Sequence, residues 1–268
     1  MADYGNRVSL VTGTGRGAGR GIAGVLAGEG GKLVFCDLDE TTLGESAEEA
    51  RKLGAEVLAV QCDVSDEEQV ESMFAKANEA FGRLDVLVNT VAWIDPPGPI
   101  AELPTERWHK TIRTNLDSVM FCTRAALQVM IPQRSGVIIN ISSLNGTRGF
   151  PERPSYGATK AAVINFTQTT AMENREHGIR ANVLVPGGII GERVRILREY
   201  GLERMKERGQ EPPARSPYPA PAPEMLDPEW IGRYVAWLVS PDGRHINGQA
   251  LVIGEAPRSP LQAMFPDI

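Results

Sequence analysis

Residues 7–19 read R-V-S-L-V-T-G-T-G-R-G-A-G, an apolar run that passes directly into four closely spaced glycines. The apolar half is predicted to be a β-strand, and Gly17–Gly30 the helix that follows it. A strand, a tight glycine turn and a helix N-terminus, in that order, form the usual cradle for the pyrophosphate of a dinucleotide. We expect Gly13 to permit the turn, Gly17 to let the backbone approach the phosphates, and Gly19 to let the helix pack closely on the strand.

Short runs rich in Val, Ile and Leu alternate with longer amphipathic stretches along the rest of the chain. Continuous apolar runs indicate strands covered on both faces, and their alternation with helices indicates a parallel sheet with right-handed crossovers. We therefore predict an α/β protein: one doubly wound Rossmann domain over residues 1–268, with a parallel seven-stranded sheet and helices on both faces. The predicted strands are Arg7–Thr12, Lys32–Asp37, Glu56–Gln61, Leu84–Asn89, Gly136–Ile141, Arg180–Val185 and Ala250–Ile253. The predicted helices are Gly17–Gly30, Thr41–Leu53, Asp66–Phe81, Thr105–Met130 and Pro154–Glu176.

Composition narrows the class of protein. The formal net charge is −6, which disfavours a nucleic-acid partner, and no apolar run approaches the length of a membrane span. The N-terminal residues contain no signal-peptide core, and the three cysteines include no C-x-x-C pair, so we expect buried thiols in a reducing compartment. The three histidines lie far apart, and no metal site is predicted. A cytoplasmic protein without nucleic-acid or membrane partners is expected.

The segment 191–227 breaks the alternation of strands and helices. It begins with a charged stretch and then becomes proline-rich, reading E-P-P-A-R-S-P-Y-P-A-P-A-P-E over residues 211–224. One interpretation is a polar loop insertion or polyproline spacer. The other is a lid over a substrate site, because long loops that follow parallel strands lie at the edge of the sheet where ligands bind.

Acidic residues at the ends of the second and third strands predict which dinucleotide binds. Asp37 lies eighteen residues after Gly19, where a carboxylate can accept hydrogen bonds from the adenosine ribose and repel a 2′-phosphate. Arg16 favours the opposite preference, since a guanidinium there could hold that phosphate. Because Asp37 would lie closer to the phosphate, NAD is predicted and NADP is less favoured. Asp63 and Val64 are predicted to bracket the adenine, with the carboxylate on its amino group and Val64 against the ring.

Tyr156 and Lys160 are the candidate proton-transfer pair. Residues four apart on a helix lie on one face, so the lysine ammonium is expected beside the phenol. An adjacent positive charge lowers the pKa of a phenol from its reference value of about 10. A phenol adjusted in this way can take a proton from an alcohol or return one to a ketone. Ser143 lies thirteen residues before the tyrosine.

The chain resembles the short-chain dehydrogenase/reductase family along almost its whole length. The resemblance implies that Tyr156 is the general acid/base and that Lys160 lowers its pKa and holds the nicotinamide ribose. It also implies that Ser143 polarises the substrate carbonyl or orients the alcohol, and that Asn115 stabilises a helix kink and a water linking Lys160 to solvent. The matching motifs are T-G-x-x-x-G-x-G at residues 12–19, Asp63, Asn89, Asn115, Ser143, Tyr156-x-x-x-Lys160 and Pro186-Gly187.

Three positions depart from the family's pattern. The family commonly has N-N-A-G after the fourth strand, where this chain has Asn89-Thr90-Val91-Ala92. A threonine that often anchors the carboxamide is replaced by glycine at position 191, which leaves backbone groups of Ile189 to contact the carboxamide. The usual acidic-Gly-Gly ending is here Ile253-Gly254-Glu255-Ala256.

The residues and the resemblance together predict an NAD-dependent oxidoreductase that interconverts a secondary alcohol and a ketone. Two alternatives stay open: an NADPH-dependent biosynthetic ketoreductase, favoured by Arg16, and a cofactor-binding regulatory protein without turnover. Apolar residues near the expected pocket favour a cyclic or aromatic substrate, namely Trp93, Ile196, Leu197, Met225 and Leu226. The resemblance also implies a homo-oligomer, a dimer or a homotetramer, paired through the helices at 105–130 and 154–176.

Overall fold

Seven parallel strands form one sheet in this computed structural model, which describes residues 6–190 and 225–254. The strands are β1 (Val8–Thr12), β2 (Lys32–Asp37), β3 (Glu56–Gln61), β4 (Val86–Asn89), β5 (Gly136–Ile141), β6 (Ile179–Pro186) and β7 (Ala250–Ile253). The helices are α1 (Gly17–Gly28), α2 (Glu40–Lys52), α3 (Glu67–Phe81), α4 (Thr105–Ile112), α5 (Ser118–Gln133), α6 (Pro154–Glu173) and α7 (Pro228–Val239). The strand order is β3-β2-β1-β4-β5-β6-β7, so the winding reverses between β1 and β4.

Apolar layers cover both faces of the sheet. On one face α1, α2 and α7 pack over the strands, and on the other α3 and α5 do so together with part of α6. The first layer buries Ile22, Leu26, Leu43, Ile231 and Val235, and the second buries Met73, Cys122, Ala126, Met130 and Ala171. The predicted doubly wound α/β fold with seven parallel strands is confirmed.

Helix α7 is an element that the sequence prediction lacks. Asp227 caps its N-terminus by accepting a hydrogen bond from the Glu229 N–H, and Pro228 occupies the first turn. These are ordinary helix-start signals, but they directly follow the proline-rich segment and were passed over. Gly232 allows α7 to approach α1 closely, because a Cβ there would lie 2.9 Å from the Gly21 carbonyl oxygen.

Several boundaries differ from the prediction for local reasons. The predicted helix Thr105–Met130 is α4 and α5 joined through a π-helical segment, Arg113–Asp117, and it continues to Gln133. Helix α6 ends at Glu173 rather than 176, because a 3₁₀ turn and then Gly178, with φ +70°, redirect the chain into β6. The fourth strand begins two residues later than predicted.

The carboxyl ends of the central strands place the candidate site. The glycine turn follows β1, and a loop beginning at Thr90 follows β4, on the two sides of the point where the winding reverses. In open α/β sheets, ligands bind in the crevice at this switch point. The predicted lid, 191–227, lies outside the described residues except for its last three.

Candidate active site

The glycine turn after β1 is held against the end of β2. The N–H groups of Gly13 and Thr14 both donate to the Cys36 carbonyl, at 2.7 and 3.1 Å. Gly13 adopts φ +71°, a left-handed conformation that other residues rarely tolerate. A Cβ on Gly19 would lie 1.9 Å from the Gly13 carbonyl oxygen, so only glycine lets α1 pack this closely on the turn.

The N-terminus of α1 has the properties of a phosphate site. Gly17 adopts φ +56°, and a Cβ placed on it would meet nothing among the described residues within 4 Å, so its backbone borders open space. Arg16 occupies the N-cap position and makes no side-chain capping hydrogen bond. The first N–H groups of a helix have no acceptors within the helix, and its dipole attracts anions. The turn therefore fits the pyrophosphate of a dinucleotide.

Asp37 borders the same turn. Its Oδ2 accepts a hydrogen bond from the Gly15 N–H at 2.8 Å, and its Oδ1 accepts from the Asp39 N–H at 3.1 Å. Arg16 lies on the exposed side, with its Nη2 3.6 Å from Asp39 Oδ2. Hydrogen bonding from the Thr42 backbone N–H, with a smaller effect of the Arg16 charge, lowers the pKa of the Asp39 carboxyl. Asp37, which favours NAD, and Arg16, which favours NADP, therefore lie on two sides of one opening.

Asp63 and Val64 follow β3 on the neighbouring side. Asp63 Oδ1 accepts hydrogen bonds from the backbone N–H and the hydroxyl of Ser65, at 2.9 and 2.7 Å. Val64 is buried in the apolar layer that contains α3. Their predicted contacts with adenine stay a prediction.

The unusual Thr90 ties the end of β4 to the end of β1. Its N–H donates to Thr12 Oγ1 at 3.1 Å, and its hydroxyl donates to the Thr12 carbonyl at 2.5 Å. Thr90 Oγ1 would also lie 2.9 Å from a Cβ on Gly13, so the threonine fills the space that the glycine leaves open. Asn89, buried beside it, donates to Asn140 on β5 at 2.8 Å. The departure from the family's pattern at this point is compensated by bonds within the chain.

Tyr156 and Lys160 lie on α6, 9% and 2% exposed. The lysine Nζ is 5.8 Å from the centroid of the tyrosine ring and donates a hydrogen bond to the Ile141 carbonyl at 2.8 Å. The ammonium is thereby anchored to the end of β5 and held beside the phenol. The helical spacing therefore produces the pairing that the sequence predicted.

Two adjacent serines at the end of β5 have different environments. Ser142 is buried and donates its hydroxyl proton to the Lys160 carbonyl at 2.8 Å. Ser143 is only partly buried, and its Oγ accepts hydrogen bonds from Asn145. Successive side chains of an extended segment point to opposite sides, so only one of the two can face the site. Ser142 faces the interior, which is consistent with the prediction that Ser143 faces the site, and that role of Ser143 stays a prediction.

The turn that carries Ser143 packs directly on α6. A Cβ on Gly146 would lie 2.6 Å from both the carbonyl carbon and the carbonyl oxygen of Lys160. A Cβ on Gly157 would lie 3.2 Å from the Asn145 carbonyl oxygen. These two glycines let the turn approach the helix, and so they set the spacing between Ser143 and the Tyr156/Lys160 pair. The sequence analysis missed both, although a glycine three residues after the serine was the available signal.

Asn115 joins three parts of the site. It is fully buried within the π-helical segment Arg113–Asp117. The helix kink that the family resemblance implies corresponds to this π-helical segment. Its Oδ1 accepts from the Trp93 N–H at 2.6 Å, and its Nδ2 donates to the Trp93 carbonyl at 2.9 Å and to Thr159 Oγ1 at 3.2 Å. The amide thus connects the loop after β4 with α6.

Asp95 provides a second connection between the same loop and the first turn of α6. The carboxylate is 2% exposed, and its Oδ2 accepts a hydrogen bond from Ser155 Oγ at 2.5 Å. Arg153 Nη1 donates to the Asp95 carbonyl at 2.9 Å. A negative charge is favourable at a helix N-terminus, and this one lies beside the residue that precedes Tyr156.

The segment after β6 supplies the last predicted cofactor contacts. Pro186 ends the strand, Gly187 N–H donates to the Ile253 carbonyl at 3.0 Å, and Ile189 pairs with Leu226 in an isolated bridge. Leu226 packs against Gly254 and is partly buried against the apolar layer around α1 and α7, and its predicted place in a lid stays a prediction. Ile196 and Leu197 lie outside the described residues.

The described residues contain neither a metal-binding cluster nor a membrane-spanning helix. Within 6–190 and 225–254, no three His, Cys, Asp or Glu side chains lie together as a metal ion would require. No described helix is long and apolar enough to cross a membrane.

Comparison with known sequences gives one consistent family. The family model described as short chain dehydrogenase matches residues 7–199. The short chain dehydrogenase/reductase astE of Aspergillus oryzae is 38% identical over 250 residues, covering 92% of this chain and 93% of that protein. The 3-oxoacyl-[acyl-carrier-protein] reductase FabG of Staphylococcus epidermidis is 33% identical, covering 92% of this chain and 96% of its own.

Three solved structures that resemble this chain are also named as reductases or dehydrogenases. Levodione reductase superposes with a TM-score of 0.85 at 30% identity, over 94% of this chain and 97% of its own. NAD⁺-bound xylitol dehydrogenase superposes with a TM-score of 0.82 at 26% identity, over 94% and 99% of the two chains. Actinorhodin polyketide ketoreductase with NADPH has a TM-score of 0.82 at 29% identity, over 94% and 97%. Similar structures therefore include one with NAD⁺ and one with NADPH.

Proposed function

Because the chain belongs to the short-chain dehydrogenase/reductase family of oxidoreductases, we propose that it interconverts a secondary alcohol and a ketone through Tyr156, with NAD as its cofactor. The observation that carries this proposal is the buried pair of Tyr156 and Lys160, with the lysine Nζ 5.8 Å from the phenol ring and anchored on the Ile141 carbonyl. A buried ammonium beside a buried phenol is suited to proton transfer.

The cofactor would occupy the crevice between the loops after β1 and β4. Gly13, Gly17 and Gly19 would form the phosphate cradle, and Arg16 would lie at its edge. When bound, the nicotinamide ring supplies or accepts the hydride. The remaining contacts are proposed for Asp37, Asp63, Val64, Asn89, Tyr156, Lys160, Pro186, Gly187 and Ile189.

Three residues transfer the proton and stabilise the charge on the substrate oxygen: Tyr156, Lys160 and Ser143. In the oxidation of an alcohol, Tyr156 in its phenolate form takes the hydroxyl proton, and in ketone reduction it returns that proton to the same oxygen. The Lys160 ammonium stabilises the phenolate, and Ser143 donates a hydrogen bond to the substrate oxygen, so that charge does not accumulate there. Asn115 is proposed to hold a water between Lys160 and solvent, as the family resemblance implies.

NAD is proposed over NADP because of Asp37. Its Oδ2 faces the turn at Gly15, so a 2′-phosphate on the adenosine would meet a carboxylate that is fixed at 2.8 Å from the loop backbone. Arg16 supports the alternative of an NADPH-dependent ketoreductase, since its side chain is 56% exposed. However, Arg16 already lies 3.6 Å from the Asp39 carboxylate, which offsets part of its attraction for a phosphate.

The oligomeric state and the cellular location are proposed from the burial of particular side chains. Helix α7 exposes Trp230, Tyr234 and Trp237, at 53, 39 and 44%, on positions four and three residues apart. This aromatic stripe supports a homo-oligomer, a dimer or a homotetramer, in which a second copy covers it, in addition to the helix pairing that the family implies. All three cysteines are free and buried, which supports a cytoplasmic location.

The test of the proposed function is turnover by Tyr156→Phe. This variant keeps the ring and removes the hydroxyl, so we expect kcat on a panel of cyclic and aromatic ketones to fall by roughly 100- to 10,000-fold, with NADH still bound. Tyr234→Phe is the matched control, because that tyrosine is exposed on α7 and should retain wild-type turnover. Undiminished turnover by Tyr156→Phe would contradict the proton-transfer role.

A further inference from the structure

We propose that Asn145 is a positioning residue that directs the hydroxyl proton of Ser143 toward the substrate oxygen. The inference rests on the proposed function of Ser143 as the hydrogen-bond donor to that oxygen. Asn145 lies two residues after Ser143, in the short 3₁₀ turn Leu144–Gly146. Its own role is to fix the direction of a hydroxyl that could otherwise point several ways.

Both donor groups of Asn145 point to the oxygen of Ser143. The Asn145 backbone N–H donates to Ser143 Oγ at 3.3 Å, and the side-chain Nδ2 donates to the same oxygen at 3.4 Å. These distances are at the long end of the range for N–H···O hydrogen bonds. Catalytic hydrogen bonds are often long until the substrate is bound.

A serine hydroxyl has one proton to donate and two lone pairs with which to accept. Asn145 occupies both lone pairs, which leaves the proton as the remaining polar feature of Ser143. The proton must then point away from Asn145. Because Ser143 is only partly buried, whereas Ser142 beside it faces the protein interior, that direction is toward the open side of the site.

Ser142 shows the opposite arrangement at the adjacent position. Its hydroxyl donates to the Lys160 carbonyl at 2.8 Å, so its proton is used within the protein. Ser142 therefore donates its hydroxyl proton to a backbone carbonyl of the protein. The lone pairs of Ser143 are occupied, and its hydroxyl proton is available to another acceptor. The difference comes from the partners that the fold supplies and not from the residue type.

The position of Asn145 has no other explanation among the described residues. Its Oδ1 is buried and makes no hydrogen bond with any of them, so Ser143 is the partner of the amide. The close approach of the Asn145 carbonyl to Gly157 and of Gly146 to Lys160 fixes the turn on α6. The amide is thus held beside the reacting groups with its donor end toward Ser143.

The experiment compares Asn145→Asp with Asn145→Ala. Aspartate has the same shape but can only accept, so its carboxylate should accept a hydrogen bond from the Ser143 hydroxyl, turn that proton away from the substrate oxygen and lower kcat by about 100-fold or more. Alanine removes one donor and leaves the backbone N–H, so it should lower kcat by about 3- to 10-fold. Values are compared on the pH-independent plateau of kcat, since a new charge shifts the pH profile without changing the plateau. The NADH dissociation constant should stay within about 2-fold of wild type.

Gly149→Asp is the control for charge, because it adds a carboxylate to the same loop at a position where a Cβ would meet none of the described residues within 4 Å. It should retain wild-type plateau kcat. If Asn145→Asp turns over as fast as Asn145→Ala, the inference is wrong.

A double-mutant cycle gives a second and independent test. In a Ser143→Ala background, Asn145→Ala should change the residual kcat by less than about 2-fold, because its effect acts through the missing hydroxyl. If Asn145→Ala lowers kcat in the Ser143→Ala background as much as it does in wild type, the inference is wrong. This result decides the question even if the Asn145→Asp variant does not fold. If Ser143→Ala itself retains full turnover, the proposed role of Ser143 fails instead, so the two failures are distinguishable.

Discussion

Gly146 lies so close to the backbone of Lys160 that a Cβ on it would be 2.6 Å from the lysine carbonyl oxygen. This contact joins the turn that carries Ser143 to the helix that carries Tyr156. The carbonyl of Lys160 also accepts the Ser142 hydroxyl, so the turn and the helix meet at one backbone group. The distance between Ser143 and Tyr156 therefore depends on Gly146, which has a hydrogen atom where other residues have a side chain.

Gly146→Ala should therefore displace Ser143 from Tyr156 without unfolding the protein. A shift of a few tenths of an ångström to 1 Å should lower kcat by on the order of 10- to 100-fold. Steady-state turnover of a ketone substrate, with NADH titration as the check of folding, measures the effect. Gly149→Ala is the matched control, because a Cβ at Gly149 meets nothing among the described residues within 4 Å. Equal turnover by the two variants would contradict this interpretation.

Asp37→Asn should weaken NADH binding and narrow the preference for NADH over NADPH. The amide can still accept from the Gly15 N–H but loses the charge that favours ribose hydroxyls and repels a 2′-phosphate. We expect NADH affinity to fall by roughly 10-fold or more, since hydrogen bonds to charged groups are the stronger ones. Fluorescence titration with both dinucleotides measures this change. Glu40→Gln, which removes a charge at an exposed position at the start of α2, should leave NADH affinity nearly unchanged. Wild-type protein that binds NADPH more tightly than NADH would refute the assignment.

Thr90→Val should destabilise the protein because it breaks one of the two hydrogen bonds that Thr90 makes with Thr12. The Thr12 carbonyl would then face a methyl group, at an expected cost of about 1–3 kcal/mol in the free energy of unfolding. Denaturant unfolding monitored by circular dichroism gives this value. Thr41→Val, on the exposed side of α2, makes the same chemical change where no such bond exists among the described contacts. A loss no larger than that of the control would mean that the Thr12–Thr90 pair contributes nothing.

Replacing Trp230 and Trp237 together by glutamate should dissociate the oligomer. Both side chains are about half exposed on α7, and two charges on that stripe would oppose its burial against a second copy. Sedimentation velocity should give a smaller species than wild type. Leu53→Glu alters a similarly exposed apolar residue, the C-cap that follows α2, and should sediment like wild type. A monomeric wild-type protein would refute the oligomer itself, whereas an intact double variant would place the interface elsewhere.

The three thiols should differ in their rates of alkylation in the native protein. Burial raises the pKa of Cys122, and hydrogen bonding to Cys62, followed by burial, raises that of Cys36. The same hydrogen bond lowers the pKa of Cys62. A raised thiol pKa means less thiolate at pH 8 and slower reaction, so Cys62 should be modified first. Mass spectrometry after brief labelling measures the order; early modification of Cys122 would contradict it.

Local patterns determined much of this protein from the sequence alone. Apolar runs and helical spacing predicted all seven strands and the two-sided covering of the sheet, because those periods depend on backbone geometry that neighbouring residues share. The glycine turn and the Tyr156/Lys160 pair were predicted for the same reason, since each lies within one short segment. Helix α7 was missed because its start signals directly follow a proline-rich stretch.

Only the tertiary structure decided what each polar group does. Ser142 and Ser143 are the same residue type at adjacent positions, and they differ because the fold brings the Lys160 carbonyl, 18 residues away, to Ser142, whereas Ser143 keeps its near neighbour Asn145 as partner. Thr90 and Asn115 likewise acquire their roles from partners 78 and 22 residues away in sequence. Hydrogen-bond direction depends on which groups the fold brings within about 3 Å, and no local pattern contains that information. The sequence alone therefore determined the reaction class and the fold, and the tertiary structure decided the orientation of the groups proposed to carry out the reaction.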